Sequence, residues 1–209
     1  VFDPSAVAAA TVDAVVAATP LSTETVVFGH SMNGALALAV AAVKPCRGVI
    51  AVAPPCGMPI DLEMLQANWD AHAEPDRKAL ASAIRAEYDA ADDERKAALV
   101  QQYASLRSWY DFGEEHPSLG ADSAELSAWV QDVMASGVDV DWPATFDAVS
   151  VPVFVALGRY DFLAPPTPWL EAPVADRWTI ELFERSGHSP FVEQPDAFVA
   201  ALDRWLTTI

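Results

Sequence analysis

The feature that most constrains this chain is a short apolar strand that enters a glycine-flanked turn and leaves it as an apolar helix. Residues 25–28 (Thr25, Val26, Val27, Phe28) are β-branched or aromatic and are closed by Gly29. From Gly34 an Ala- and Leu-rich helical stretch runs to Val43, stopped by Lys44 and Pro45. The junction reads Gly29-His30-Ser31-Met32-Asn33-Gly34. Small residues at Gly29 and Gly34 let strand and helix pack closely through a sharp turn. A serine at such a turn takes a strained backbone and faces the N–H groups that the first turn of a helix cannot bond internally. Ser31 is therefore the candidate nucleophile, and the Met32 backbone N–H a candidate donor to an oxyanion. The common form of this turn carries Gly two residues after the serine. Here that residue is Asn33, which tolerates unusual backbone angles better than most. A glycine-rich turn with an idle serine is the competing reading of the motif alone.

The surrounding pattern is that of an α/β protein. A helix is predicted over residues 5–18, capped by Asp3 or Ser5. Further apolar strands are predicted over 48–53, 151–157 and 178–183, and a final amphipathic helix over 196–207 with Phe198, Leu202 and Trp205 inward. Strands apolar on both faces fit a parallel sheet covered by helices, and strand–helix–strand order implies a right-handed crossover. Residues 59–148 differ. They are charged and helical, with predicted helices over 62–71, 75–90, 92–110 and 123–135. The expected organisation is a core from residues 1–58 and 149–209, with 59–148 inserted as a helical lid.

Two further residues fall just past strand ends. Gly158-Arg159-Tyr160-Asp161 follows the third strand, and Ser186-Gly187-His188-Ser189-Pro190-Phe191 follows the fourth. A solvated loop Asp or a surface His would be unremarkable singly. A serine, a carboxylate and a histidine after successive strand ends, in that chain order, form the set that nucleophilic acyl transfer requires.

With these residues in hand, the chain resembles the α/β-hydrolase superfamily from before the Ser31 strand to its C-terminus. The run Gly187-His188-Ser189-Pro190-Phe191-Val192-Glu193-Gln194-Pro195 is especially similar to the branch of proline iminopeptidases and related esterases. The resemblance implies that Ser31 attacks a carbonyl, His188 moves the proton and Asp161 fixes the imidazole. It implies no cofactor and no metal. A serine at the turn sets the chain apart from the dehalogenase and epoxide hydrolase branches, which use Asp there. Whole domains of this kind carry several strands before the nucleophile strand, and one of their loops gives a second oxyanion N–H. Neither has a match here, so roughly 60 to 80 residues of the pattern are expected to be missing. A truncated sequence or a separate N-terminal fragment completing the fold is favoured over an unusual minimal form.

Composition limits the partners. The formal net charge is −18, from 30 acidic and 12 basic residues, which argues against nucleic acid and against anionic membranes. No apolar run approaches the ~20 residues of a membrane span, and a cytoplasmic location is expected. The two cysteines, Cys46 and Cys56, flank a predicted strand and are expected to stay unpaired. The inserted region should set the substrate, with Trp69, Trp109 and Trp129 as candidate substrate contacts and helix core as their competing role. Glu63, Glu74 and Glu87 could hold a free amine, or simply face water. His30 is expected to pack the turn, and His72 and His116 to lie on the surface. The expected activity is hydrolysis of a carboxylic ester or related small-molecule acyl bond. An aminopeptidase acting on short peptides and a non-catalytic binding protein on the same fold are the alternatives.

Overall fold

The computed structural model describes residues 7, 9–57, 60–113, 116–117, 124–173 and 175–209, with the backbone alone for 124–127. The first helix, α1, spans Val12–Ala18, and its N-terminus is set by Thr11, whose hydroxyl accepts the Ala14 N–H at 3.2 Å. The sequence had pointed to a start near residue 5. The proposed caps Asp3 and Ser5 lie outside the described residues, but Ala9, Ala10 and Thr11 are non-helical, because the Thr11 cap takes an extended backbone.

Four strands follow: β1 (Val26–His30), β2 (Gly48–Val52), β3 (Val153–Gly158) and β4 (Trp178–Phe183). They form one parallel sheet in chain order, with Gly29 beside Ala51, Ala51 beside Val155, and Val155 beside Ile180. β2 and β3 are buried at every residue, as interior strands covered on both faces must be. Side chains alternate between the faces. Val49, Ala51, Val153 and Val155 pack with Leu38 and Ala41 of α2 (Met32–Val43). Ile50, Val52, Phe154 and Ala156 pack with Phe198 and Trp205 of the C-terminal helix. Gly48 lets that second face close tightly, since a Cβ there would stand 3.0 Å from the Trp205 ring.

Between β2 and β3 come α3 (Leu62–His72), α4 (Pro75–Tyr88), α5 (Asp93–Ser108), α6 (Ala124–Ser136) and α7 (Trp142–Asp147). α3 to α5 share a core of Trp69, Ala81, Ile84, Leu99 and Leu106, closed by Phe162 from the loop after β3. Asp61 and Asp92 cap α3 and α5 through their carboxylates. After β3 come α8 (Thr167–Glu171), then β4, α9 (Pro190–Glu193) and α10 (Pro195–Leu206). The short helices α7, α8 and α9 each carry proline in their first two positions and have too few residues for a periodic signal, which is why sequence periodicity passed over them. Among the described residues no helix is long and apolar enough to cross a membrane.

Candidate active site

Ser31 sits between β1 and α2 with φ 56° and ψ −131°, one of two described non-glycine residues at positive φ. Such a backbone stores strain that the neighbours must hold in place. They do so from both sides. The Ser31 N–H donates to Val52 O at the tip of β2, and its carbonyl accepts from Gly34 N–H, both at 2.8 Å. Gly29 is obligatory, because a Cβ there would lie 2.0 Å from Asn33 O. A Cβ on Gly34 would be 3.0 Å from Pro54 Cβ. The substitution at Asn33 is harmless for a simpler reason than backbone tolerance. Asn33 lies in the first turn of α2 with its side chain exposed, and Ser31 alone carries the strain of this turn. The Met32 N–H belongs to the same first turn and has no acceptor within the helix.

Asp161 and His188 come together at the C-terminal end of the sheet. Asp161 is 1% exposed, and its Oδ2 lies 2.7 Å from His188 Nδ1. Its Oδ1 accepts the N–H groups of Leu163 and Ala164, each at 2.8 Å. Both loops are bound to each other, since Tyr160 N–H donates to Ser186 O at 2.9 Å. They also approach closely, since a Cβ on Gly158 would stand 1.8 Å from Gly187 O. Burial works against a charged His188 ring, but the Asp161 charge and hydrogen bond, helped by Glu193, hold its pKa above the ordinary value.

His30 does more than fill space. Its Nε2–H donates to the His188 carbonyl at 2.8 Å, and the two rings lie 4.9 Å apart. Burial, and then the charge of His188, push the His30 pKa down, so its neutral form is the stable one. His30 thus links the Ser31 turn to the His188 loop. The Ser31 hydroxyl makes no hydrogen bond to His188 in the resting structure.

Of the other candidates, Trp69 is buried edge-on to Phe162 at 5.0 Å and Trp109 is buried with its ring stacked on His116 at 4.1 Å. Trp129 is half-buried beside the cluster of Val12, Met32 and Leu36. Glu74 pairs with Arg77 and Glu87 with Arg95. His72 is exposed, His116 half-buried, and both cysteines are free.

Two carboxylate-bearing residues escaped the sequence reading in different ways. Asp61 caps α3 and also lines a cavity, described below. Glu193 joins two segments far apart in sequence: one oxygen accepts Tyr110 N–H at 2.6 Å and the other Gly187 N–H at 2.7 Å. Its neighbour Gln194 accepts from Arg185 N–H at 2.8 Å. These two acceptors inside the run from Gly187 to Pro195 were the available signal, but their partners are visible only in the fold.

An apolar cavity of about 80 Å³ lies beside Asp161, lined by Cys56, Ile60, Asp61, Met64, Leu163 and Ala164, among others. Burial raises the Cys56 pKa, which keeps it a neutral thiol. A larger polar depression of about 430 Å³ is lined by Tyr110, His116, Arg185 and Glu193. It touches neither Ser31 nor the residues that hold Asp161.

The model of the alpha/beta hydrolase family matches residues 2–201. The AB hydrolase superfamily protein YclE of Bacillus subtilis is 40% identical over 63 residues, which cover 28% of this chain and 21% of that protein. A proline iminopeptidase of Heyndrickxia coagulans is 22% identical over 201 residues, covering 88% of this chain and 67% of that protein. Among solved structures, a thermophilic esterase from Thermogutta terrifontis superposes with TM-score 0.53 at 19% identity, covering 97% of this chain and 74% of the other. The chain thus spans about two thirds of the proline iminopeptidase, and its match to YclE only about a fifth of that protein.

Proposed function

The chain belongs to the alpha/beta hydrolase family, and on that premise we propose that it is a serine hydrolase cleaving a carboxylic ester or a related small-molecule acyl bond through Ser31, His188 and Asp161. The observation that carries this reading is the 2.7 Å contact of His188 Nδ1 with a buried Asp161, on a loop joined through His30 to the strained Ser31 turn.

With Nδ1–H given to Asp161, the His188 Nε2 lone pair is free to act as base. Ser31 Oγ attacks the substrate carbonyl while Nε2 takes its proton, and the oxyanion accepts the Met32 N–H. Collapse expels the alcohol, which takes the Ser31 proton from His188. Water, deprotonated by His188, then attacks the acyl-Ser31 ester; the carboxylic acid is released and Ser31 Oγ takes the proton back. Closing the gap between Ser31 and His188 falls to the substrate complex, where catalytic hydrogen bonds commonly tighten. The second oxyanion donor is not assigned to a residue of this chain.

The acyl group enters the cavity at Cys56 and Met64. One wall follows the tip of β2, whose Val52 carbonyl holds the Ser31 N–H, and a chain of three further residues reaches at most about 11 Å. The other wall carries Leu163 and Ala164, whose N–H groups bind Asp161. Trp169 fixes the first wall by donating its indole N–H to Pro54 O at 2.7 Å. The volume is small against the roughly 300 Å³ of a pocket for a whole drug-sized ligand, which suits a short apolar acyl chain.

An aminopeptidase is the second reading, supported by the similarity to the proline iminopeptidase over 88% of the chain. Two of the three carboxylates considered for its amine, Glu74 and Glu87, are already paired with arginines, which ranks it below the esterase. A serine-reactive fluorophosphonate and an intact mass measurement test the proposal, with Ser31→Ala beside it. A single adduct lost in the variant supports an activated serine, and no adduct on the folded chain points to a binding protein. Turnover of a short-chain aryl ester against a prolyl anilide separates esterase from peptidase.

A further inference from the structure

We propose that Arg77, in the first turn of α4, is a positioning residue for the Asp161–His188 pair, acting through the segment 106–110 at the end of α5. The inference rests on the triad reading above. The Arg77 side chain is fully buried, where an unpaired guanidinium would be strongly destabilising. Three of its four hydrogen bonds go to one segment. Nη1 donates to Leu106 O at 2.6 Å and to Trp109 O at 2.8 Å, and Nη2 to Tyr110 O at 2.8 Å. Nε donates to Glu74 at 2.7 Å, and the guanidinium carbon lies 4.2 Å from the Phe112 ring centroid and 5.3 Å from that of Phe162. A helix end leaves carbonyls without partners and carries the negative end of the dipole, so a planar cation with a fork of donors suits it well.

The segment that Arg77 fixes holds both triad loops. On the acid side, Arg107 O accepts the N–H of Phe162, the residue after Asp161, at 2.9 Å, and Arg107 Nη2 donates back to Phe162 O at 3.2 Å. On the base side, Ser108 O accepts the N–H of His188 itself at 2.5 Å. Tyr110 N–H and Gly187 N–H share the Glu193 carboxylate. The contact with Gly187 leaves no slack, since a Cβ there would stand 2.2 Å from Ser108 O. Residues 107–110 therefore set the separation of Asp161 and His188 from outside the sheet, and Arg77 is what keeps their backbone in one shape. The joint between the helices after β2 and the catalytic loops is a fixed one.

The test compares Arg77→Lys, Arg77→Met and Arg107→Ala with the parent chain. Three readouts are taken: the rate of Ser31 phosphonylation, its pH midpoint, and the downfield NMR resonance of the His188 Nδ1 proton. The groups facing His188 are Asp161, Glu193 and His30, with His116 acting on Glu193. All four stay in place in these variants. Loss of the brace slackens the Asp161 contact. The rate should then fall about ten- to a hundredfold, the midpoint should move down, and the resonance should broaden or vanish. Arg107→Ala, which loses the grip on Phe162 O and the contacts with Tyr103 and Trp69 but leaves Arg77 on its carbonyls, should change all three in the same direction by less. If Arg77→Met does not fold, Arg77→Lys and Arg107→Ala decide the matter. Parent-like rate, midpoint and resonance in those two folded variants would overturn the proposal. If the parent Ser31 is not labelled at all, the catalytic reading fails, and the resonance in Arg77→Lys still decides the brace.

Discussion

Asp161 holds His188 by one carboxylate oxygen and is itself held by the other: Oδ2 meets Nδ1 at 2.7 Å while Oδ1 accepts two backbone N–H groups at 2.8 Å. This division fixes what Asp161→Asn must do. The amide oxygen is needed at the Leu163 and Ala164 N–H groups, so the amide N–H₂ faces His188 and forces Nδ1 to accept. The ring proton then sits on Nε2, where the base is needed. Ester kcat/KM and the phosphonylation rate should fall by about 10³ to 10⁴, with little change in melting temperature. A variant retaining a tenth or more of the parent rate would remove Asp161 from the triad.

The pH dependence follows from the raised pKa of His188. In the proposed mechanism its neutral form is the base, so phosphonylation should rise with pH through a midpoint above 6.5, the ordinary histidine value. The stability linkage has the opposite slope. A raised folded-state pKa gives stabilisation that is complete below the unfolded value and lost as pH climbs through the folded one. The melting temperature should therefore decline as pH rises from about 6.5 through the raised folded-state value, and His188→Ala should flatten that decline. Glu193, raised by its burial, titrates in a window that opens lower, at 4.5. A midpoint below 6.5 would mean that Asp161 is not dominating the environment of His188.

Gly158 ends β3 against the His188 loop, where a Cβ would lie 1.8 Å from Gly187 O and 2.6 Å from Ser186 O. Both obstacles are backbone, so neither can rotate away. Gly158→Ala should cost about 3 kcal/mol in urea unfolding and should push the base loop off Asp161. The phosphonylation rate should fall along with it. A stable, fully reactive variant would show that these two loops can separate without consequence.

The parts of this molecule legible in the sequence are those whose cause is local. The strand β4 runs from Trp178 to Phe183 as its apolar pattern indicates, and Gly29 and Gly34 bound the Ser31 turn because small residues are needed within a few positions of it. Asp161 and His188 could be singled out because each follows a strand that the pattern reveals. Arg77 could not. In sequence it is one charge three residues after Glu74 on a polar helix, which reads as a solvated pair. Its carbonyl partners lie 29 to 33 residues away and identify themselves by no side chain. Glu193 lies within the run from Gly187 to Pro195, yet its role depends on Tyr110, brought to it by the end of α5. Trp69 and Trp109 look alike in sequence to residues that line a pocket. Trp69 is buried against Phe162 because α3 meets the loop after β3, whereas Trp109 stacks on His116 from the same connection after α5.

The cavity beside Asp161 gives the substrate reading its own test. Cys56 is half-buried on its wall and is a neutral thiol, so enlarging the side chain fills space without removing a charge. Cys56→Phe should leave aryl acetate hydrolysis nearly intact while lowering kcat/KM for the butyrate. Each methylene excluded from an apolar pocket is worth about 1 to 3 kcal/mol, so the butyrate-to-acetate ratio should drop by on the order of tenfold or more. Fluorophosphonate labelling of Ser31 serves as the control, because a small phosphonyl group does not need the cavity. Normal labelling with an unchanged ester ratio would place the acyl chain elsewhere. Lost labelling would instead show that the wider ring had disturbed the tip of β2, where the Val52 carbonyl holds Ser31.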